Sequence, residues 1–137
     1  MKAKIFKSVM TLTIMLATSA IFSSCSKDND DRDPFVGIYR CEYEITYYGQ
    51  ITKGTYTLTI AKSSTNKNDI ILNNIDDWGE SVRATVSGNA MTIPMQTIQD
   101  VGITGSGTLN GNTLNFSTQE SETGGTQVNS IQTAIKQ

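Results

Sequence analysis

The sequence predicts an all-β fold: an eight-stranded antiparallel up-and-down meander closed into a small barrel, following an N-terminal signal segment. Three observations carry this. From Phe35 onward apolar and polar residues alternate with period two, and no segment after the leader sustains the three-and-four spacing of an amphipathic helix. Gly, Asn, Asp and Ser punctuate the alternating runs at short intervals. Two of the runs, TVSGNAMTI (Thr85 to Ile93) and TLNGNTLNF (Thr108 to Phe116), align without a gap and hold Gly-Asn at their centres.

The first strand, 36–48, places Tyr39, Cys41, Tyr43, Ile45 and Tyr47 on one face and Arg40, Glu42, Glu44 and Thr46 on the other. The second, 53–61, sets Tyr56, Leu58 and Ile60 against Thr55, Thr57 and Thr59. One apolar and one polar face is the pattern of a half-buried antiparallel strand. Strands at 68–75, 80–87, 90–95, 100–110, 113–119 and 125–135 complete the count. Gly first in a two-residue loop suits a type II′ turn, so Gly88-Asn89 and Gly111-Asn112 pair Val86 with Met91, Ala84 with Ile93, Leu109 with Leu114, and Gly107 with Phe116. Gly105 and Gly107 ease a bend, and Pro94 is expected to end the fifth strand. In the eighth strand Val128 and Ile131 fall on opposite faces unless a bulge intervenes. An open meander of this size leaves two unpaired edges, which closure removes. Eight strands enclose an interior that side chains can fill or that holds one small ligand.

Ahead of the strands, Lys2, Lys4 and Lys7 precede an apolar run from Val9 to Phe22, broken by Thr11, Thr13, Thr18 and Ser19. That order is an export signal, and the run falls short of the ~20 apolar residues of a bilayer span. Phe22-Ser23-Ser24-Cys25 resembles the lipobox of bacterial lipoproteins, with Phe22 where that family prefers Leu. The resemblance implies a signal peptide over 1–24 and a diacylglyceryl group on Cys25. The residues that follow, Ser26-Lys27-Asp28-Asn29-Asp30-Asp31, resemble the tag that directs Bacteroidetes lipoproteins to the outer face of the outer membrane. The implied organisation is a signal peptide, an acidic tether over 25–34, and a barrel domain over 35–137. A lipidated, N-acylated cysteine carries more than one chain, which makes a stable membrane anchor.

Without the leader's three lysines the chain keeps 8 basic and 13 acidic residues, a net charge of −5. No Lys/Arg cluster remains to neutralise phosphates, so nucleic acid is not an expected partner. The acidic tether lacks the Gly and Glu that an EF-hand loop requires, and no metal ligand set or cofactor is expected. The chain contains no histidine, which removes Ser-His-Asp and Cys-His machinery, so no catalytic residues are assigned. Glu42 and Glu44 share the polar outer face with Arg40 and read as solvated charges.

Phe35-Val36-Gly37-Ile38-Tyr39 opens the first strand with an aromatic-x-Gly-x-aromatic pattern similar to the Gly-x-Trp opening of lipocalins. With the meander and the two Gly-Asn turns, residues 35–137 resemble the small lipocalin-like (calycin-like) lipoproteins of Bacteroidetes, with Tyr39 in place of the tryptophan. The resemblance implies a lipocalin-like barrel on a lipid anchor. Tyr39, Tyr43, Tyr47 and Tyr56 share one face and are candidate ligand-lining residues, against a plain role as core. Trp78, inside Asp76-Asp77-Trp78-Gly79-Glu80, is a candidate contact or a cap on a barrel end. Cys41 has no partner once Cys25 is lipidated and reads as a small core hydrophobe. Two functions are expected to compete. One is a non-enzymatic binding module for a small apolar ligand or glycan. The other is an accessory or inhibitor lipoprotein with a filled barrel and a protein partner.

Overall fold

Alternation decides which side chains point inward, and ladder pairing decides how far each strand runs. The computed structural model describes residues 29–122 and 125–137. It contains β1 (Gly37–Tyr47), β2 (Gln50–Lys62), β3 (Asp69–Asn73), a 3-10 turn (Ile75–Asp77), β4 (Ser81–Ser87), β5 (Ala90–Ile98), β6 (Val101–Asn110), β7 (Thr113–Glu122) and β8 (Gln127–Lys136). Each strand pairs antiparallel with the next, and β8 pairs back onto β1 from Tyr39↔Lys136 to Thr46↔Asn129. The result is a closed eight-stranded barrel, as the sequence predicts. Among the described residues no helix is long and apolar enough to cross a membrane. The leader, Cys25 and the tether through Asp28 lie outside the described residues.

The predicted register holds at both Gly-Asn hairpins: Val86 faces Met91, Leu109 faces Leu114, and Gly107 faces Phe116. Gly88 and Gly111 take φ of 59° and 58° while the asparagines after them keep negative φ. That sign pattern fits type II′ and excludes type I′, which needs positive φ at both residues. Apolar inner positions of all eight strands form one core, including Tyr39, Leu58, Ile60, Leu72, Val82, Met91, Ile93, Ile103, Leu114 and Ala134.

One expectation about strands needs correction. Pro94 does not end the fifth strand. β5 runs on to Ile98, and its register against β6 shifts between Ile93 and Gln96. Pro has no ladder donor, and a bulge is where a strand tolerates that loss. In the eighth strand no bulge intervenes and Val128 and Ile131 fall on opposite faces, with Ser130 and Gln132 at the inner positions between Val128 and Ala134. Ile131 points outward, 67% exposed, while Ser130 and Gln132 are buried.

The two ends of the barrel are built differently. At one end the Asp30–Phe35 segment folds back as a stopper. Phe35 is fully buried, and its carbonyl accepts a 2.8 Å hydrogen bond from the Tyr39 hydroxyl. Arg32 Nη1 donates to the carbonyls of Ser63, Asn66 and Asp69 at 3.3, 3.1 and 3.4 Å. Lys62 pairs with Asp30 and Asp33, and Arg32 pairs with Asp30, so those two cations hold the Asp30 carboxyl far below the usual carboxylate range. Residues 30–34, expected as solvated tether, are therefore docked on the barrel.

At Gly105 the β6–β7 ladder leaves no room for a side chain: a Cβ there would collide with the Ser117 carbonyl of the facing strand and sit 3.2 Å from Ile93 Cδ1. A backbone oxygen cannot rotate away as a side chain can, so Gly105→Ala is expected to destabilise the barrel by about 1–3 kcal/mol. Urea denaturation followed by circular dichroism measures this. An unchanged midpoint would contradict the close β6–β7 approach.

Candidate functional site

The end away from the stopper is formed by the β1–β2 turn, the 74–80 loop, the β5–β6 turn and the β7–β8 turn. Its backbone is strained. Tyr48, Asn74, Asp76, Asp77, Gln99 and Asp100 all hold positive φ, between 46° and 66°, and these are the non-glycine residues with positive φ among those described. The stopper end uses glycine wherever a turn needs that geometry, at Gly88 and Gly111. A left-handed backbone costs roughly 1–2 kcal/mol at residues such as Tyr48 and Gln99 and less at Asn and Asp, and it persists where surrounding contacts or a two-residue turn enforce it.

For the 74–80 loop those contacts are visible. Asn74 donates from Nδ2 to the Thr57 carbonyl at 2.9 Å, and its Oδ1 accepts from the Gly79 N–H at 2.8 Å. Ile75 is fully buried, and the Trp78 N–H returns to its carbonyl at 3.0 Å. Between them Asp76 turns into the barrel. Thr118 Oγ1 donates to its Oδ2 at 3.3 Å, while Ser130 Oγ and Gln132 Nε2 donate to its Oδ1 at 3.2 and 2.5 Å. The Tyr56 hydroxyl donates to the side-chain Oε1 of Gln132, which ties β2 into the same network.

Glu120 stands within hydrogen-bond reach of Asp76 and is 8% exposed, yet its Oε1 has no donor. Two ionised carboxylates cannot bond to each other; a hydrogen bond between them requires that one keep a proton. Burial, then the charge and hydrogen bond of Asp76, push the Glu120 carboxyl up to about 8. Burial raises Asp76 as well, while its hydrogen bonds with Glu120, Ser130, Thr118 and Gln132 oppose the rise. Burial also raises the neighbouring Cys41 thiol to about 11 and the Tyr56 phenol further still. By contrast Asp69, 1% exposed, is satisfied by Arg83 at 3.1 Å and Thr85 at 2.8 Å.

The predicted site residues separate into three places. Tyr39 and Tyr56 are core, the first bonded to Phe35 and the second to Gln132. Tyr43 lies across Gly54 of the facing strand, its ring 6.0 Å from that of Tyr56. Tyr47 and Tyr48 stack edge-on at 4.5 Å at the rim, and the Tyr48 hydroxyl reaches Thr126 Oγ1 at 3.3 Å. Trp78 is at the same end, beside a cleft of about 350 Å³ lined also by Glu80, Ile98, Gln99, Val101 and Glu122. Tyr39, Tyr43 and Tyr56 thus line the interior, whereas Tyr47 and Trp78 belong to the rim. Other clefts, of about 460–570 Å³, lie over the stopper and on the outer wall. Cys25 is outside the described residues.

Asp76, Thr118, Glu120, Ser130 and Gln132 escaped the sequence reading. The signal for two of them was present: Thr118 and Glu120 continue the inward alternation of Leu114 and Phe116 on β7. Among the described residues no group of three or more His, Cys, Asp and Glu side chains gathers as a metal site.

This fold defines a class, the closed eight-stranded antiparallel β-barrel. No family model matches the sequence, and no curated protein matches it. A solved structure of a protein with unknown function from the DUF3598 family of Nostoc punctiforme is similar in fold, at 10% identity and a TM-score of 0.54. The match covers 76% of this chain and 48% of that one, so this chain spans about half its length.

The folded protein holds a proton on Glu120 that the unfolded chain releases above its ordinary pKa of 4.5. The stability this contributes is complete below pH 4.5 and is lost as pH rises through about 8. Thermal melts at pH 5, 7 and 9 in chelator-treated buffer should therefore show declining stability, by a few kcal/mol overall at about 1.4 kcal/mol per pH unit. Glu120→Gln, which keeps the shape without the ionisation, should flatten that decline. A profile identical to that of the unmodified protein would refute the assignment.

Proposed function

We propose that this protein is a lipid-anchored, non-enzymatic binding module of the bacterial outer membrane, displayed on the outer face and meeting its partner at the barrel rim away from the tether. The observation that carries the reading is the asymmetry of the ends. The chain enters from the tether at the stoppered end, and among the described residues left-handed non-glycine backbone is confined to the other. Strain of this kind clusters where a surface is held in shape for contact.

The interior is occupied by the protein's own groups: Tyr39 on Phe35, Tyr56 on Gln132, and Asp76 on three donors. That favours a partner taken at the rim over an apolar ligand swallowed by the barrel. The cleft beside Trp78 combines an aromatic face and two aliphatic side chains with the carboxylates of Glu80 and Glu122 and the amide of Gln99. An apolar platform flanked by hydrogen-bonding groups is the chemistry of a sugar ring, and the cleft is of ligand-binding size. A glycan is therefore the partner class we favour. The exposed Tyr47, Tyr48 and Ile51 on the same end support a surface protein as the second reading.

Glycan-array screening of the detergent-solubilised protein, followed by Trp78 fluorescence titration with the hits, tests the first reading. Trp78→Ala should weaken glycan binding at least tenfold without shifting the melting temperature by more than a few degrees. Absence of any hit, together with capture of a surface protein that Tyr48→Ala abolishes, would favour the second. The anchor is tested separately: metabolic labelling with palmitate should mark the protein, and Cys25→Ser should abolish the label. If the variant is labelled as before, or the unmodified protein is not labelled, the lipoprotein assignment fails.

A further inference from the structure

We propose that the inner end of the barrel is a binding site for a calcium ion, formed by the carboxylates of Asp76 and Glu120, the hydroxyls of Thr118 and Ser130, and the side-chain carbonyl of Gln132. The inference rests on neither the anchor nor the rim partner. It starts from an orphan: Glu120 is more than nine-tenths buried, its Oε1 has no donor, and its carboxyl lies within hydrogen-bond reach of Asp76. Among the described residues, no lysine or arginine pairs with either carboxylate; the ion pairs involve Asp30, Asp33, Glu44 and Asp69 instead. The fold is thus able to give a buried acid an arginine, as it does at Asp69, and it does not do so here.

A shared proton removes one of the two charges, and the other stays buried among neutral dipoles. Uncompensated buried charge is costly, whereas a divalent cation neutralises both carboxylates at once. The donor set suits a hard cation. Asp76 and Glu120 supply four oxygens, Thr118 and Ser130 one each, and Gln132 a seventh. Calcium takes six to eight oxygens in flexible geometry, while magnesium demands octahedral coordination and keeps several waters. This interior, packed by Tyr56, Cys41 and Ile75, suits the ion that sheds its waters.

The change on binding is small. The two hydroxyls now donate to Asp76, and rotation about their Cβ–Oγ bonds turns lone pairs toward the ion. Gln132 now points Nε2 at Asp76 and its carbonyl at Tyr56. Turning the amide over offers the carbonyl to the ion and leaves Nε2 to donate to the Tyr56 oxygen. Ligands come from the 74–80 loop, β7 and β8, where Thr118 and Ser130 are direct register partners. A bound ion would therefore rivet the strained loop to the barrel wall. Two carboxylates completed by hydroxyls and an amide also explain why no sequence motif marks the site.

Trp78, two residues from Asp76, is the built-in reporter. The detergent-solubilised full chain, freed of divalent ions, is titrated at pH 8 with calcium chloride while Trp78 fluorescence and the melting temperature are recorded. The expected result is a saturable, single-site response with a Kd near 10⁻⁴–10⁻³ M, the range of extracellular calcium modules, and a rise in melting temperature. Glu120→Gln, close to isosteric, should weaken the response at least tenfold, and magnesium should elicit less than a tenth of it. Asp33→Asn, in the stopper, should leave it intact, and the loss in Glu120→Gln, which keeps every acid of the tether, excludes adsorption there. No response to calcium, an equal response to magnesium, or an unchanged response in Glu120→Gln would each overturn the proposal.

Discussion

The pairing of β8 with β1 is the constraint on which the rest depends. Seven hairpin-connected ladders follow from local sequence, but they would leave two edges with unpaired N–H and C=O groups. The closing ladder removes both edges and gives the molecule an inside. Only then do Ser130 and Gln132 on β8, and Tyr39 and Cys41 on β1, share a common interior with the far wall.

Closure divides that interior along its axis. Toward the stopper it is apolar, with Leu58, Ile60, Leu114 and Ala134 packed beneath Phe35. Toward the opposite end β7 and β8 turn inward with Thr118, Glu120, Ser130 and Gln132. A polar lining needs partners, and the 74–80 loop supplies Asp76 as their common acceptor. The strain at Asn74, Asp76 and Asp77 and the buried network are two sides of one arrangement: the network offsets the cost of the backbone geometry, and that geometry delivers the acceptor. The Glu120–Asp76 contact is the element of this network without a cationic counterpart, which makes it the point most sensitive to protons and ions.

The two ends are held in different ways. The stopper, residues 30–35, is fixed by Arg32 and Lys62 bonds on both sides of the β2–β3 connection. The opposite rim carries Tyr47, Tyr48 and Trp78. On the proposed reading, a module that offers one end to a partner gains from such rigidity at the other.

Local physics determined much of this protein in advance. Period-two alternation marked the strands, and the Gly-Asn turns set two registers that the structure keeps, because a two-residue turn and an apolar pair each allow a single solution. Only the tertiary structure decided what depends on distant neighbours. Glu120 lies just past the end expected for the seventh strand at residue 119; alternation from Leu114 and Phe116 points it inward, but its burial beside Asp76 depends on the packed 74–80 loop. On β8, inward Ser130 and Gln132 make sense only once Asp76, some fifty residues earlier, is packed against them. Asp76 itself was legible only as part of a loop, because its inward turn requires a left-handed backbone that the sequence does not announce and that the closed barrel enforces.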